Sequence, residues 1–356
     1  MPSRQNQAPL DNTLCRRCQE IEPSIVVRTE PLCKACFSRY VQSKVVKRLE
    51  TFRVKNSEPG KEKTLLLPLS FGPSSTALLF TVSRHLQGQI EKTGRTGFKL
   101  HVLHVSQPEE PSNSEEILER VNQRYPEHTY STIPLSSIIT AQPSLLPTDL
   151  QALTTPTLTP SENLSALLSA LPTPTSRADA LAILQRKLIT HHARTTGCAA
   201  ILLSDSTTRL SERTLAETAK GRGFSLPWLV SDGESPFGVP IYYPQRDLLG
   251  KELAAFVDFV EPSLESVLVA GRESKPAAAM KNSTIDELTR QYFGGVEAEY
   301  PSIVANVLRT TSKLQARPMS DVELQCELCD MPLEGRAPER SRLCYGCIRT
   351  MPQVTA

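Results

Sequence analysis

Eight of the nine cysteines stand in four CxxC pairs: Cys15 and Cys18, Cys33 and Cys36, Cys326 and Cys329, Cys344 and Cys347. Fourteen residues separate the first two pairs (19 to 32) and fourteen separate the last two (330 to 343). Each end of the chain therefore offers the ligand count and spacing of a four-cysteine zinc site. Four thiolates close a tetrahedral shell, so two structural zinc ions are expected, against unmetallated thiols or a redox pair as the alternative. Segments this short bury too little apolar area to stay ordered alone, and metal binding supplies the difference. Thiols kept reduced fit a cytoplasmic protein. No run of about 18 apolar residues is present, and "MPSRQNQAPL" lacks the apolar core of a secretion signal, so no membrane is expected as a partner.

The net charge of +2 says little by itself. Residues 1 to 63 hold 13 Lys and Arg against 7 Asp and Glu, so the basic character lies at the front. There, Phe37, Val41, Val45 and Leu49 recur at helical spacing while Arg39, Lys44, Lys47 and Arg48 fall largely elsewhere. Two readings of that basic face stand: a solvated surface, or RNA-phosphate contact.

Between the cysteine clusters the pattern alternates. "TLLLPLS", "FKLHVLHVS" and "CAAILLSD" read as buried strands, and "SSTALLFTVSRHLQGQIEK", "RADALAILQRKLITHHARTTG" and "TTRLSERTLAETAKGRG" as helices. The expected fold class is α/β: a parallel sheet wrapped by helices, with four-cysteine knuckles at both ends. The expected divisions are 1–55 (knuckle and basic helix), 60–270 (sheet body), 271–320 (helical segment) and 321–356 (second knuckle). From Thr129 to Thr175 only Asp149 and Glu162 are charged. Residues 134–175 are expected as a mobile surface insertion, with "SENLSALLSALP" a short capped helix inside it. Two helices are expected in "TIDELTRQYFGGVEAEYPSIVANVLRTTSKL".

The turn after the first strand carries Ser70, Phe71, Gly72, Ser74 and Ser75. It lies where parallel sheets bind ligands, and a serine-capped helix start explains it equally well. Asp205 sits at the carboxyl end of a later strand, beside the pocket or as a helix cap. Lys220 and Arg222 fall at a helix end, positioned to meet a phosphate or simply to follow the glycines that terminate the helix. His191 and His192 suit a partly exposed helix end, Cys198 a core position, and Trp228 a core or an interface.

"SFGPSS" resembles the S-G-G-x-D-S signature of the PP-loop (ATP pyrophosphatase) family, in which a strand-to-helix turn holds the phosphates of a nucleotide. Ser70, Gly72 and Ser75 match; Phe71 and Ser74 replace a glycine and an acid. Read with both cysteine clusters, "LLSDSTTRLSERTLAETAKGRG", "PQRDLLGKELAAFV" and "YPSIVANVLRTTSKL", the chain from Leu14 to Arg349 resembles the cytoplasmic tRNA 2-thiolation protein 2 family. The resemblance implies a heterodimer that replaces the 2-oxygen of the wobble uridine with sulfur in the tRNAs for lysine, glutamate and glutamine. It implies a catalytic PP-loop subunit as partner, with sulfur delivered by a thiocarboxylated ubiquitin-related carrier protein. Active members place a CxxC before the helix that here begins near Arg177, where this chain reads "LPTPTSRADAL". No catalytic residue is therefore expected, and ATP binding is in doubt. Two competing readings are an independently active ATP-dependent tRNA sulfurtransferase and a zinc-knuckle adaptor for protein partners.

Overall fold

Leu65, Leu66 and Leu67 are all fully buried, which requires a strand covered on both faces. The computed structural model shows that arrangement; it describes residues 13–107, 113–140, 145–269, 283–333, 337–338 and 341–352. A short hairpin, β1 (Ile25–Val27) and β2 (Glu30–Leu32), precedes helix α1 (Lys34–Arg48). The body then runs β3 (Lys63–Pro68), α2 (Pro73–Thr93), β4 (Phe98–Ser106), α3 (Ser114–Arg124) and β5 (Thr129–Pro134). It continues through short helices α4 (Ser137–Thr140) and α5 (Thr148–Gln151) into α6 (Pro160–Ser169) and α7 (Pro174–Thr195). The second half contains β6 (Ala200–Leu202), α8 (Thr207–Ala219), α9 (Leu226–Leu229), β7 (Ile241–Tyr242) and α10 (Gly250–Phe259). Helices α11 (Ile285–Glu299), α12 (Pro301–Thr311) and α13 (Tyr345–Thr350) complete it.

The five-stranded sheet has the order β5-β4-β3-β6-β7, and every neighbouring pair is parallel. Successive side chains on a strand point to opposite faces. Accordingly Leu65, Leu67, Val102 and Leu202 join a core with α1, α2 and α10, while Leu66, Leu103, Ile201 and Ile241 join one with α6 and α7. The strand order reverses between β3 and β6, so their carboxyl ends open the crevice in which such sheets bind ligands.

The leucine-rich insertion departs from its expectation. Leu146, Leu150, Leu164, Leu167 and Leu171 are buried in the sheet core, and Thr159 and Glu162 close a capping box on α6. Few charges here reflect burial against α7 rather than mobility; residues 141–144 lie outside the described ones. The strand β5 falls in the same stretch and is only partly buried, as an edge strand is. A Leu164→Ala variant should cost about 2–5 kcal/mol in chemical denaturation, where a truly mobile insertion would show almost no change.

Neither knuckle stands apart. Cys15, Cys33 and Cys36 pack into one core and Cys326, Cys329, Cys344 and Cys347 into the other. The two expected helices, α11 and α12, lie on α8, tied by Ser211 Oγ donating to the Val304 carbonyl at 2.9 Å and Thr208 Oγ1 to Glu297 at 2.8 Å. The linker at 271–282 lies outside the described residues.

Candidate functional site

A cleft of about 340 Å³ opens at the carboxyl ends of β3, β6 and β7, lined by Ser70, Arg186, Asp205, Arg213 and Lys220 among others. A smaller one of about 180 Å³ adjoins it and shares Pro68, Ser70, Gln185 and Ile189. Of the turn expected to face a phosphate, Ser70 lines both clefts, whereas Gly72, Ser74 and Ser75 line neither. Gly72 caps α2 without any side-chain hydrogen bond, so the helix start is not serine-capped. Ser75 Oγ instead donates to the Gly72 carbonyl at 3.1 Å and lies 3.2 Å from Ser70 Oγ, folding the turn on itself. Ser74 has no hydrogen-bonding role of its own in this turn among the described contacts.

Phe71 takes φ 57°, the left-handed region that a glycine adopts at no steric cost. Its ring is fully buried, 4.5 Å from the His104 ring, and lines neither cleft. Core burial of the ring holds the residue in that conformation. The substitution thus leaves the mouth of the turn open.

Most charges along the cleft are spent on one another. Asp205 pairs with Arg213 at 3.0 Å, and the helix cap beside it is Ser206, which accepts from the Arg209 amide at 3.1 Å. Burial would lower the pKa of Arg213, but Asp205 outweighs it and keeps the guanidinium charged. Arg209 pairs with Glu212 at 2.8 Å. Lys220 reaches Asp286 at 2.7 Å and Asp179 at 3.2 Å. Arg222 is 2% exposed and uses its whole guanidinium internally, on Asp179 at 2.5 and 2.8 Å and on Glu217 at 2.7 and 3.2 Å. This leaves Arg222 no free donor for a phosphate. Burial alone would raise the Asp179 carboxyl; Arg222, with Lys220 and Thr350, reverses this and holds it at about 2.

Sequence reasoning missed Asp179, although it joins three elements. Its carboxylate also accepts from Thr350 Oγ1 at 2.9 Å on α13, while Arg222 Nη1 approaches Cys347 Sγ at 3.9 Å. The second knuckle is thereby locked to α7 and to the end of α8. Lys187 adds a second tie, to Asp330 at 2.6 Å and the Glu327 carbonyl at 2.9 Å. The fit depends on Gly346, where a Cβ would lie 2.5 Å from Arg222 Cγ and 2.8 Å from the Lys220 carbonyl. Gly346→Ala should therefore cost about 1–3 kcal/mol by overpacking, measured by denaturant unfolding.

Both cysteine clusters are assembled, the four sulfurs of each lying within 4.8 Å of one another. The separations Cys18 to Cys33 and Cys329 to Cys344 are each 3.9 Å. A disulfide needs about 2.05 Å, whereas four sulfurs about 2.3 Å from one tetrahedral ion lie roughly 3.8 Å apart. The geometry fits a four-thiolate metal site at each end. The knuckles also repeat each other: Gln19 and Asp330, each following the second cysteine, take φ 57° and 61°, and Cys33 and Cys344 each begin a helix.

On α1 the apolar stripe is buried as expected. Lys44 is partly exposed and Lys47 exposed, whereas Arg48 grips Asp247 with two bonds of 2.8 and 2.9 Å. His191 and His192 occupy the last turns of α7, half-buried, with His192 5.1 Å from the His101 ring. Cys198 is buried beside Thr196 and its thiol is pushed up by that burial; Trp228 packs in the core. No cysteine lines the cleft among the described residues.

Comparison with known proteins adds the following. The family model for cytoplasmic tRNA 2-thiolation protein 2 matches residues 284–342. Proteins of that name from Pyrenophora tritici-repentis and Phaeosphaeria nodorum are 42% and 43% identical. The alignments cover 97% and 96% of this chain and 96% and 95% of theirs. Among solved structures, the U34-tRNA thiolase NcsA from Methanococcus maripaludis with its [4Fe-4S] cluster superimposes with a TM-score of 0.60 at 14% identity. That match covers 90% of this chain and 92% of the other, and at such identity it reports a shared fold.

Proposed function

The chain belongs to the cytoplasmic tRNA 2-thiolation protein 2 family, and from that premise we propose that it serves tRNA thiolation as the non-catalytic, tRNA-binding partner of an adenylating subunit. The relatives are named cytoplasmic, and no helix among the described residues is long and apolar enough to cross a membrane. The reaction proposed for the pair is 2-thiolation of the wobble uridine in the tRNAs for lysine, glutamate and glutamine. A thiocarboxylated ubiquitin-related protein would donate the sulfur.

The chemistry explains why two chains share the work. A uridine carbonyl oxygen leaves poorly, so ATP must first convert it to an adenylate; a sulfur nucleophile then displaces AMP, which carries that oxygen away. The first step needs a phosphate loop with its acid, and the second needs thiols at the same cleft. The observation that carries our reading is that the cleft has kept its place at the strand ends but has neither. Ser74 stands where the acid would be, and most of the surrounding charges are committed to internal pairs, Arg186 being the exception among the described residues. What remains for this chain is to hold the partner and the RNA. Lys44 and Lys47 on α1 are the residues we assign to phosphate contact, with Arg48 fixing that helix to the body. We assign zinc to both cysteine clusters, since four thiolates in tetrahedral array with no open position suit a structural zinc ion.

The test is reconstitution. With the paired subunit, ATP, a sulfur donor and tRNA, a Ser70→Ala/Ser75→Ala variant of this chain should support 2-thiouridine formation within about twofold of the parent. A folded variant that loses tenfold or more would place the chemistry in this cleft and favour the sulfurtransferase reading.

A further inference from the structure

A third depression, of about 280 Å³, lies between the tip of the N-terminal hairpin and α12, and shares no lining residue with the other two. Leu249, Pro301 and Ala305 supply apolar lining; Arg28 comes from the hairpin, and Asn306 and Arg309 from the helix. Arg28 is exposed at the hairpin tip with φ 59°, and it donates one long hydrogen bond, of 3.4 Å, to the Asp247 carbonyl. Arg309 is exposed and has no ion pair or hydrogen bond among the described residues.

The surroundings are positive. Arg48 and Lys44 lie at Asp247, and Arg48 and Arg246 share Asp232, so with Arg28 and Arg309 five cations face two carboxylates. Arg246 also reaches Ser312 Oγ at 2.6 Å, on the turn that follows Arg309. The next carboxylates inward, Glu252 and Glu297, are buried and bonded to the Leu249 amide and to Thr208. Two guanidiniums without a carboxylate partner, set over an apolar lining, match one nucleotide of a nucleic-acid strand. Their forks suit phosphate oxygens, and the lining can cover a ribose or base. Asp247 connects the groove to α1: its carbonyl accepts from Arg28, and its carboxylate accepts from Arg48 and lies near Lys44.

We propose that the Arg28–Arg309 groove binds one nucleotide of the RNA backbone, and that the strand's neighbouring phosphates run along α1. This rests on the tRNA-binding reading above and adds the location, which joins the N-terminal knuckle to α12. An acidic protein tail is the competing occupant of a groove with this chemistry.

The test uses the full-length, metal-loaded chain and a labelled tRNA transcript, with affinity followed as salt is varied. Arg28→Gln/Arg309→Gln should weaken binding on the order of tenfold and make the dependence of log K on log salt shallower by about 0.7 to 0.9 for each phosphate no longer neutralised. Arg28→Lys/Arg309→Lys should recover most of that slope, while Lys55→Gln/Lys92→Gln, outside this groove, should change neither quantity. Unchanged metal content and circular dichroism will confirm that the variants fold. If the parent binds the transcript and the glutamine variant binds it equally well, or loses affinity without a change in slope, the groove assignment is overturned while the functional reading stands. If the parent chain and its complex with the catalytic subunit both fail to bind the transcript, the functional reading itself falls.

Discussion

A Cys326→Ser variant is expected to hold one zinc ion per chain in place of two, and to lose the fold of the C-terminal knuckle. Structural zinc in isolated finger peptides contributes about 10–16 kcal/mol, on the scale of the whole stability of an ordinary domain, about 5–15 kcal/mol. The knuckle here also has protein contacts, through Lys187 and Asp179, which recover part of that loss but cannot replace the ion. Because Cys326, Cys329, Cys344 and Cys347 all belong to the core shared with α7, the damage should spread into the body. Metal analysis by mass spectrometry and a thermal melt check this. Two retained zinc ions and an unchanged melting temperature would show that Cys326 is not a metal ligand, and a parent chain that holds no more metal than the variant would show that the C-terminal cluster is not a metal site.

Arg222→Met is expected to destabilise the protein by about 3–5 kcal/mol, because it strands buried carboxylates without their cation. Asp179 and Glu217 would be left with Lys220 as their only cation, at 3.2 and 3.6 Å, and Asp179 with the Thr350 hydroxyl as well. Removing both sides of the pair should hurt less: Arg222→Met/Asp179→Leu should be more stable than Arg222→Met, since one of the two stranded carboxylates is then gone and Lys220 remains for Glu217. Urea titration of the parent, both single variants and the double variant separates these cases. Additive losses would mean that the two residues do not act as a pair.

The contrast between these features and the rest of the fold shows what a sequence can disclose. The two four-cysteine clusters were legible because CxxC spacing is local, and β3, β4 and β6 because strands buried on both faces are rich in apolar residues. The edge strand β5 hid behind its composition: "TYSTIP" is short, polar and half-exposed. Strand β7 has two residues, below any detectable period. In the insertion the short helix carrying Leu164 and Leu167 was legible but its burial was not, because the Pro, Ser and Thr around it suggested an exposed segment. The charged network could not be read at all. Asp179 meets Arg222 across 43 residues, and Arg222 meets Cys347 across 125, so only the folded chain pairs them. The same limit explains why Lys220 and Arg222 looked available to a phosphate and why Arg48 looked like part of an open basic face.

The central claim is that the cleft retains the position of a nucleotide site without its chemistry. The most direct measurement supplies the purified chain alone with ATP, magnesium, a sulfur donor and a tRNA transcript, and quantifies 2-thiouridine and AMP together by mass spectrometry. Neither product should rise above the enzyme-free blank, and both should appear once the catalytic subunit is added. Thiouridine and AMP formed in equal amounts by the chain alone would contradict the account.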